Sequence, residues 1–543
     1  MPASDPTDQA TPDAQPEQRH SHVLIIGGGM AGMAAAIKLK QQFGIDDWHL
    51  YDNREDFGGT WEAVRYPGCG SDVPGMWYSL STDLNPNWTQ SYPVQEENRA
   101  YLHGVAAKRG LRDHATFSAL VQSLVWDDES KMWTVSAHDI HTGRQYRHTA
   151  RLVLMAIGGL VLPQWPSINF EAFAGPCMHT AEWDPAVEVA GKRVVVIGNG
   201  SSGAQLVPAL LAAGATVTQI VHSAHWMVPR ALDKGLYKVY QAVLRRSTLL
   251  MTALRWVMAG VVDLQFPRFT TASGARGERA RQQAEATAEA YMRSQAPERY
   301  HDILVPKFRI GCKRTIFDNG YLASLHDPNV VLVRDDVVEV TADAVVTKTA
   351  TYPADVIAVA TGFNYYNLYA RIDIRGRDGS ISLEERWSRD GMYAYETTMV
   401  DGYPNLFFLG GPNHATGHFS VICTIENVLL YVAAVAERVL RGTATTIEVA
   451  PGAYAQWCET IASALKDTVF STPFGGCTSW YVYGGHNSTA YPWSQVTFWR
   501  RMTHPQWAEL LLDGRPMTAP ARRRWAWVGA GAVAAAVVCA LLV

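Results

Sequence analysis

The chain has 543 residues, too many for one hydrophobic core, so two or three domains are expected. Its 47 basic and 51 acidic residues give a formal charge of −4, which does not indicate a nucleic-acid partner. Seven cysteines, at positions 69, 177, 312, 423, 458, 477 and 539, show neither a CxxC pair nor a repeated spacing. This pattern argues against a disulfide framework or a metal site and indicates a reducing compartment.

The two ends of the chain differ from the part between them. Residues 1–21 are rich in Pro, Asp, Gln and Ala and have no apolar run, which predicts a disordered leader and not a signal peptide. Residues 525–543 are uncharged and follow three arginines; as a helix they would span roughly 28 Å, about one bilayer core. We expect a C-terminal helix that anchors a cytoplasmic body to a membrane. A packed C-terminal helix is the alternative.

The first glycine-rich turn follows an apolar run, HVLII, and precedes a helical pattern. It holds Gly27, Gly29 and Gly32 in the spacing GxGxxG. A strand that enters a helix through such a turn directs backbone N–H groups and the helix N-terminus at a pyrophosphate. The next predicted strand ends at Asp52, at the distance expected for an acid that binds ribose. We assign this site to FAD.

A second turn of the same kind holds Gly198, Gly200 and Gly203, with Ser201 and Ser202 at the start of the predicted helix. The flanking strand and helix repeat those of the first turn, which predicts a second dinucleotide site. A decayed duplication with one working site is the alternative.

The strand after the second turn ends without an acidic residue, and His222 stands where the acid would be. An acid at this position pairs with a free 2′-hydroxyl and repels a 2′-phosphate. Its absence favours NADPH over NADH at the second site.

The predicted fold class is α/β, with two Rossmann-like dinucleotide-binding domains and a helical insertion. Two further apolar strands, in Leu152–Leu160 and Val356–Asn364, are predicted where the chain passes between the domains. The predicted bounds are 22–158 and 358–520 for the FAD domain, 159–222 and 307–357 for the NADP domain, and 223–306 for the insertion. Within the insertion, the apolar stretch LYKVYQAVLRRSTLLMTALRWVMAGVVDLQF predicts a packed or membrane-facing helix pair and not a span.

The stretch FAGPCMHTAEWD before the second turn has neither the hydrophobic periodicity of a helix nor that of a strand. It resembles the signature of type I Baeyer–Villiger monooxygenases at Phe173, Gly175, His179, Trp183 and Asp184. In that family the signature lies on the linker between the FAD and NADP domains, and its histidine supports domain motion. The resemblance therefore implies a hinge between two cofactor domains.

Other segments extend the resemblance over roughly residues 22–505. The segment Gly58–Asp72 resembles the part of the family that surrounds the flavin, which implies FAD contacts at Gly59, Thr60, Trp61 and Tyr66. In the same segment, Asp72 falls on the acid that orients the catalytic arginine. GGPNHATGHFSVICTIEN resembles the subgroup that includes 4-hydroxyacetophenone monooxygenase.

The segment IGCKRTIFDNGY resembles the family's G-x-K-R segment. It implies a cofactor-phosphate contact at Lys313 and the catalytic arginine at Arg314, and a later segment implies a nicotinamide-ribose contact at Trp480. The family has an arginine where this chain has His222, which leaves Lys313 as the main candidate for the 2′-phosphate.

The resemblance implies an enzyme that consumes NADPH and O₂ and converts a ketone to an ester or lactone through a C4a-peroxyflavin. The fixed cation of Arg314 would stabilise the developing negative charge, and Asp72 would hold its rotamer. The membrane tail indicates a hydrophobic ketone.

Three alternatives remain. An N- or S-oxygenating flavin monooxygenase shares the architecture but needs no catalytic arginine. A pyridine-nucleotide disulfide reductase needs a redox-active cysteine pair, and Cys69 has no partner nearby in the sequence. A non-oxygenating, membrane-tethered flavoprotein reductase is favoured only by the tail.

Overall fold

Two large sheets, each built from distant parts of the sequence, organise this computed structural model, which describes residues 15–230, 236–366, 369, 371–477, 481–483 and 485–519. In chain order the strands are β1 (Glu17–Ile26), β2 (Trp48–Tyr51), β3 (Ala115–Thr116), β4 (Ala119–Asp127), β5 (Met132–Asp139), β6 (Gln145–Met155), β7 (Cys177–His179), β8 (Arg193–Ile197), β9 (Thr216–Val221), β10 (Met227–Pro229), β11 (Ile316–Asp318), β12 (Val330–Arg334), β13 (Val337–Val340), β14 (Ala344–Thr347), β15 (Thr351–Pro353), β16 (Val356–Val359), β17 (Asp373–Arg375), β18 (Leu406–Phe408), β19 (Ile447–Val449), β20 (Val482–Tyr483), β21 (His486–Asn487), β22 (Leu510–Leu512) and β23 (Arg515–Pro516). The α-helices are α1 (Met30–Lys38), α2 (Thr60–Ala63), α3 (Gln95–Arg109), α4 (Ser201–Ala212), α5 (Leu236–Ala242), α6 (Thr248–Asp263), α7 (Gly274–Gln295), α8 (His301–Leu304), α9 (Tyr321–Ser324), α10 (Leu383–Asp390), α11 (Val421–Val435), α12 (Glu437–Leu440), α13 (Pro451–Lys466), α14 (Thr472–Gly475) and α15 (Gln495–Thr503).

The first sheet has the strand order β17-β4-β5-β6-β1-β2-β3, and β18 pairs with β6. Its central strand β1 is parallel to both neighbours, with Val23 opposite Trp48 on β2 and Leu152 on β6. The side chains of Val23, Leu24 and Ile25 are fully buried. An apolar run without alternation is typical of a parallel strand that is covered on both faces.

The second sheet has the order β12-β9-β8-β16-β7, and all neighbouring strands are parallel. Helix α4 follows β8 as α1 follows β1, so both glycine turns connect a central strand to a helix. The predicted α/β class with two Rossmann-like units is confirmed.

The chain passes from the first sheet to the second after β6 and returns after β16. The two connecting segments lie side by side. The backbone N–H of Gln164 donates to the carbonyl of Gly362, and that of Asn364 donates to the carbonyl of Leu162, each over 2.8 Å. The two connections between the sheets are therefore paired with each other.

The insertion between β10 and β11 is helical, with α5 to α8 in succession. Within the described residues, the stretch Thr248–Phe269 has the length and composition that would allow a membrane crossing, and 22% of its apolar window is buried. Core helices of soluble proteins can have the same length and composition.

The structure differs from two expected boundaries. Residues 17–21 are not part of a disordered leader, because they pair with residues 146–150 of β6 as the first half of β1. Residues 227–229, expected in the helical insertion, form β10, which pairs in parallel with β11. Residues 1–14 and the predicted anchor at 525–543 lie outside the described residues.

Candidate active site

The first glycine turn requires glycine for steric reasons. Gly27 has a φ of +110°, and a Cβ at this position would lie 2.7 Å from the carbonyl oxygen of Ala156. A Cβ at Gly32 would overlap the carbonyl oxygen of Gly27, so a side chain would push α1 away from the turn. At Gly29, by contrast, the nearest heavy atom would be the Cα of Gly59 at 3.5 Å.

Asp52 lies beside this turn at the end of β2. Its carboxylate accepts the backbone N–H of Gly28, in the middle of the turn, and that of Arg54 over 2.7 Å. Burial raises the pKa of Asp52, and the two N–H donors oppose that shift. The predicted ribose acid therefore lies at the edge of the sheet where a Rossmann fold binds its nucleotide.

The segment after β2 carries the predicted flavin contacts and packs against the first turn and the second domain. A Cβ at Gly59 would lie 2.8 Å from the Cα of Gly29. Thr60 begins α2, and the buried indole of Trp61 donates to the hydroxyl of Tyr78 over 3.2 Å. The sequence had not indicated Tyr78.

Tyr66 connects the first domain to the second. Its buried hydroxyl donates to Oε1 of Gln205 on α4 over 2.7 Å, and the amide of Gln205 donates to the carbonyl of Gly70 over 3.0 Å. Burial raises the pKa of Tyr66 well above its ordinary value. Sequence reasoning missed Gln205, although its place directly after the glycine turn on the buried side of α4 was a usable indication.

The second glycine turn has the same restrictions as the first. Gly198 has a φ of +110° and lies against the carbonyl of Ala360, and a Cβ at Gly203 would lie 2.5 Å from the carbonyl oxygen of Gly198. A Cβ at Gly200 would meet no heavy atom within 4 Å, so the turn is open at its middle glycine. Helix α4 starts at Ser201, followed by Ser202, and its N-terminus faces the turn.

Lys313 reaches the end of β9, where the second nucleotide's ribose is expected. Its ammonium group donates to the hydroxyl of Ser223 over 2.7 Å, and burial lowers its pKa. The neighbouring His222 is 85% exposed, and its Nδ1 lies 2.8 Å from a carboxylate oxygen of Asp336. An acid is therefore present here in space although the strand itself ends without one. Lys348 also binds this carboxylate, over 2.7 Å.

Arg314 and Asp72 form an ion pair that joins the segment before β11 to the loop after α2. Nε and Nη2 of Arg314 each lie 2.7 Å from Oδ2 of Asp72, and the side chains are 33% and 30% exposed. The charge of Asp72 raises the pKa of Arg314. Burial would raise the pKa of Asp72, but the charge and hydrogen bond of Arg314, together with the charge of Arg230, hold it below its ordinary value. Both groups are charged.

The signature stretch lies at the edge of the second sheet, because β7 pairs with β16. Phe173 packs in the hydrophobic cluster of this sheet, whereas Trp183 packs in the main core. A Cβ at Gly175 would lie 2.6 Å from the carbonyl oxygen of Asp355. Asp184 accepts the N–H of Ala186 over 2.9 Å in the turn that follows.

His179 is fully buried within this stretch. Its Nδ1 accepts the N–H of Ala181 over 3.0 Å, and burial lowers its pKa to about 4. The imidazole lies between the aromatic rings of Trp165 and Phe363, one from each connection between the sheets. The neutral ring therefore packs where the chain crosses between domains.

A disulfide joins Cys312 to Cys477, with a Cα–Cα distance of 6.2 Å. The expectation that the cysteines are unpaired is wrong for these two, because the fold brings together residues 165 positions apart and no local spacing could indicate it. Cys312 directly precedes the Lys313–Arg314 pair. Trp480, the predicted nicotinamide-ribose contact, lies outside the described residues.

Comparisons with known proteins match monooxygenases and a dinucleotide-binding domain. A family model described as L-lysine 6-monooxygenase/L-ornithine 5-monooxygenase matches residues 86–235, and one described as an NAD(P)-binding Rossmann-like domain matches residues 25–92. A Baeyer–Villiger monooxygenase of Streptomyces coelicolor is 34% identical, over 91% of this chain and 94% of the relative. One of Pseudomonas aeruginosa is 32% identical, over 89% of each chain.

The chain belongs to the Baeyer–Villiger monooxygenase family. Solved structures agree: an oxidised steroid monooxygenase bound to NADP has a TM-score of 0.77 at 25% identity, over 91% of this chain and 99% of that one. A closed cyclohexanone monooxygenase has a TM-score of 0.78 at 25% identity, over 92% and 100%. This Baeyer–Villiger monooxygenase is a flavin-dependent enzyme that uses FAD and NADP(H).

The described residues of this Baeyer–Villiger monooxygenase fit both cofactors. Each turn excludes side chains at its outer glycines and leaves space at the middle one, as a pyrophosphate requires. The disulfide-reductase alternative fits poorly, because burial raises the pKa of Cys69 to about 12 and a thiolate is the nucleophile in that chemistry.

Proposed function

We propose that Arg314, oriented by Asp72, is the cation that stabilises negative charge during the conversion of a ketone to an ester or lactone. FAD, when bound and reduced, supplies the activation of O₂. The observation that carries the proposal is the ion pair itself, which joins residues 242 positions apart in the sequence.

The geometry of the pair suits this role. Asp72 engages Nε and Nη2 of the guanidinium, which fixes the plane of the fork. Among the described residues no acceptor is bonded to Nη1, so this group is available to a reacting oxygen. Because the charge of Asp72 raises the pKa of Arg314, the cation persists at every working pH.

The preference for NADPH is proposed to depend on Lys313. Its ammonium group lies at Ser223, which is two residues beyond the end of β9 and adjacent to His222 in the sequence, where a 2′-phosphate would be bound. The negative charge of Asp336 would repel a phosphate at this position. His222 and Lys348 both contact this carboxylate and offset its charge.

The proposed substrate is a hydrophobic ketone whose identity is selected by the insertion. The segment after Asp72 packs against insertion helices in one hydrophobic cluster, formed by Met76, Trp77, Trp88, Tyr237, Tyr240, Met251, Leu254, Met258 and Phe419, with Val73 at its edge. The domain bounds given above, the likeness to 4-hydroxyacetophenone monooxygenase and membrane anchoring by residues 525–543 stay predictions.

Replacement of Arg314 by alanine tests the proposal. We expect ester formation from a panel of cyclic, linear and aromatic ketones to fall about 100- to 1,000-fold, as is typical when one such donor is removed. NADPH oxidation should continue, with H₂O₂ as the product. Arg389→Ala is the control, because Arg389 is exposed and pairs only with its neighbour Asp390 among the described residues. Undiminished ester formation by Arg314→Ala, or oxygenation of amines and sulfides in place of ketones, would contradict the proposal.

A further inference from the structure

The insertion carries an apolar surface that faces solvent. Seven of the fifteen large hydrophobic side chains that are exposed in the described part of the chain lie within residues 239–264. They form what we call the α6 surface: Val239, Val243, Leu249, Leu250, Trp256, Val261 and Leu264, with exposed fractions of 39% to 77%. Single exposed hydrophobic residues are ordinary, whereas such a concentration marks a docking surface.

Helix α6 is apolar on both of its sides. The inward side contributes Met251, Leu254 and Met258 to the cluster described above. On the outward side, Leu249, Trp256 and Leu264 follow one another at spacings of seven and eight residues, so they share one stripe along the helix. The outer side of a helix in a soluble protein carries polar residues. The outer side of α6 is therefore unlike that of a helix that contacts only water.

The exposed charges from residue 236 to residue 264 have one sign. The acid in this range, Asp263, is nearly buried and lies 3.0 Å from His418. From Leu236 to Val262 the sequence has no acidic residue. Three exposed basic residues flank the apolar stripe, and in the described part of the chain none has a carboxylate within salt-bridge distance: Lys238, Arg245 and Arg246. The charged residue inside the helix, Arg255, is turned inward and binds Glu426 over 2.8 Å.

We infer that the α6 surface docks on an anionic lipid bilayer. Leu249, Trp256 and Leu264 enter the boundary between headgroups and acyl chains, with α6 parallel to the membrane plane. The basic residues at the turn between α5 and α6, Arg245 and Arg246, meet the negative headgroups. An outward apolar stripe, a tryptophan at its centre and unpaired cations at one end are together typical of an interfacial helix. This surface is separate from the predicted C-terminal anchor.

Vesicle flotation of the full-length, FAD-loaded enzyme tests the inference. We expect binding to vesicles of equal parts phosphatidylcholine and phosphatidylglycerol, weaker binding to pure phosphatidylcholine, and loss of the difference at high salt. Leu249→Glu/Trp256→Glu, made in a chain whose C-terminal apolar run is broken by Val533→Asp/Val537→Asp, should reduce the bound fraction on anionic vesicles roughly tenfold or more. Arg245→Gln/Arg246→Gln should remove only the preference for anionic lipid.

Two matched variants make the experiment decisive. Val331→Glu/Val338→Glu places two carboxylates on exposed apolar positions of the second domain, and its binding should equal that of the wild type. Val533→Asp/Val537→Asp breaks the apolar run of the C-terminal segment, and its binding should persist. The flavin spectrum and thermal midpoint of each variant establish that it is folded.

Two results would overturn the inference. If Val533→Asp/Val537→Asp alone abolishes binding, the C-terminal segment is the anchor. If Leu249→Glu/Trp256→Glu converts an oligomer to a monomer without changing vesicle binding, the α6 surface is a contact between copies of the chain.

Discussion

Tyr66 and Gln205, 139 residues apart, are joined by a buried hydrogen bond of 2.7 Å that links the flavin segment to the helix after the second glycine turn. Gln205 also contacts the carbonyl of Gly70 in the loop that leads to Asp72. The two proposed cofactor sites are therefore mechanically connected through one side chain, close to the ion pair that we propose as catalytic.

Removing this connection should affect both stability and hydride transfer. Tyr66→Phe leaves Oε1 of the buried Gln205 with only the long contact from the N–H of Gly70, at 3.4 Å. We expect a loss of about 1–3 kcal/mol in the free energy of unfolding. Flavin reduction by NADPH in anaerobic stopped flow should also slow, because the two sites lose their common support. Tyr454→Phe is the control, since it removes a buried hydroxyl that donates to the carbonyl of Tyr393 away from both turns. Equal reduction rates in both variants would show that the link is only structural.

Lys313→Ala should reduce the preference for NADPH. Without the ammonium group at Ser223, we expect KM for NADPH to rise about tenfold or more, because a charge-assisted contact is lost, while KM for NADH changes little. Lys466→Ala, which removes an exposed lysine at the end of α13, is the control and should leave both KM values near those of the wild type. An unchanged KM for NADPH in Lys313→Ala would show that another group binds the 2′-phosphate.

The buried His179 should make the fold sensitive to acid. Its pKa in the folded protein is about 4, below the ordinary 6.5, so between these values the unfolded chain binds a proton that the folded protein does not. Stability contributed by the neutral ring is complete above pH 6.5 and decreases as the pH falls towards 4. In His179→Gln, the thermal midpoint should depend less on pH over this range, because unfolding takes up as much as one proton fewer. Identical slopes for the wild type and His179→Gln would refute the assignment.

Reduction should release two thiols. We expect thiol titration in denaturant to gain two groups after treatment with a reductant, because Cys312 and Cys477 are paired. Cys312→Ser/Cys477→Ser should show no gain, whereas Cys69→Ser should show the same gain of two with one thiol fewer in total. An unchanged thiol count on reduction of the wild type would show that the pair is not oxidised.

The glycine turns could be predicted because their chemistry is local. A strand, three glycines at fixed spacing and a helix occupy one short segment, and steric contacts at Gly27, Gly32, Gly198 and Gly203 show why no other residue fits. The pairing of Asp72 with Arg314 was expected only from family resemblance, since nothing in the sequence between them indicates that the two approach each other.

Other features depend on packing between distant segments and were not predicted. The disulfide of Cys312 with Cys477, the Tyr66–Gln205 bond and the placement of Asp336 beside His222 each join elements that the fold brings together. The strand β10 was missed because three residues carry too little pattern, and its hydrogen bonds come from β11, across the whole insertion.

The proposed site protects an oxygen-activating flavin and uses it next to the Arg314–Asp72 pair. The most direct measurement needs no substrate: the FAD-loaded enzyme is reduced with NADPH, mixed with oxygenated buffer in a stopped-flow instrument, and its flavin spectrum is followed. We predict a persistent near-ultraviolet species distinct from oxidised FAD, which is lost in Arg314→Ala. Immediate return of oxidised FAD in the wild type, with stoichiometric H₂O₂, would contradict the account.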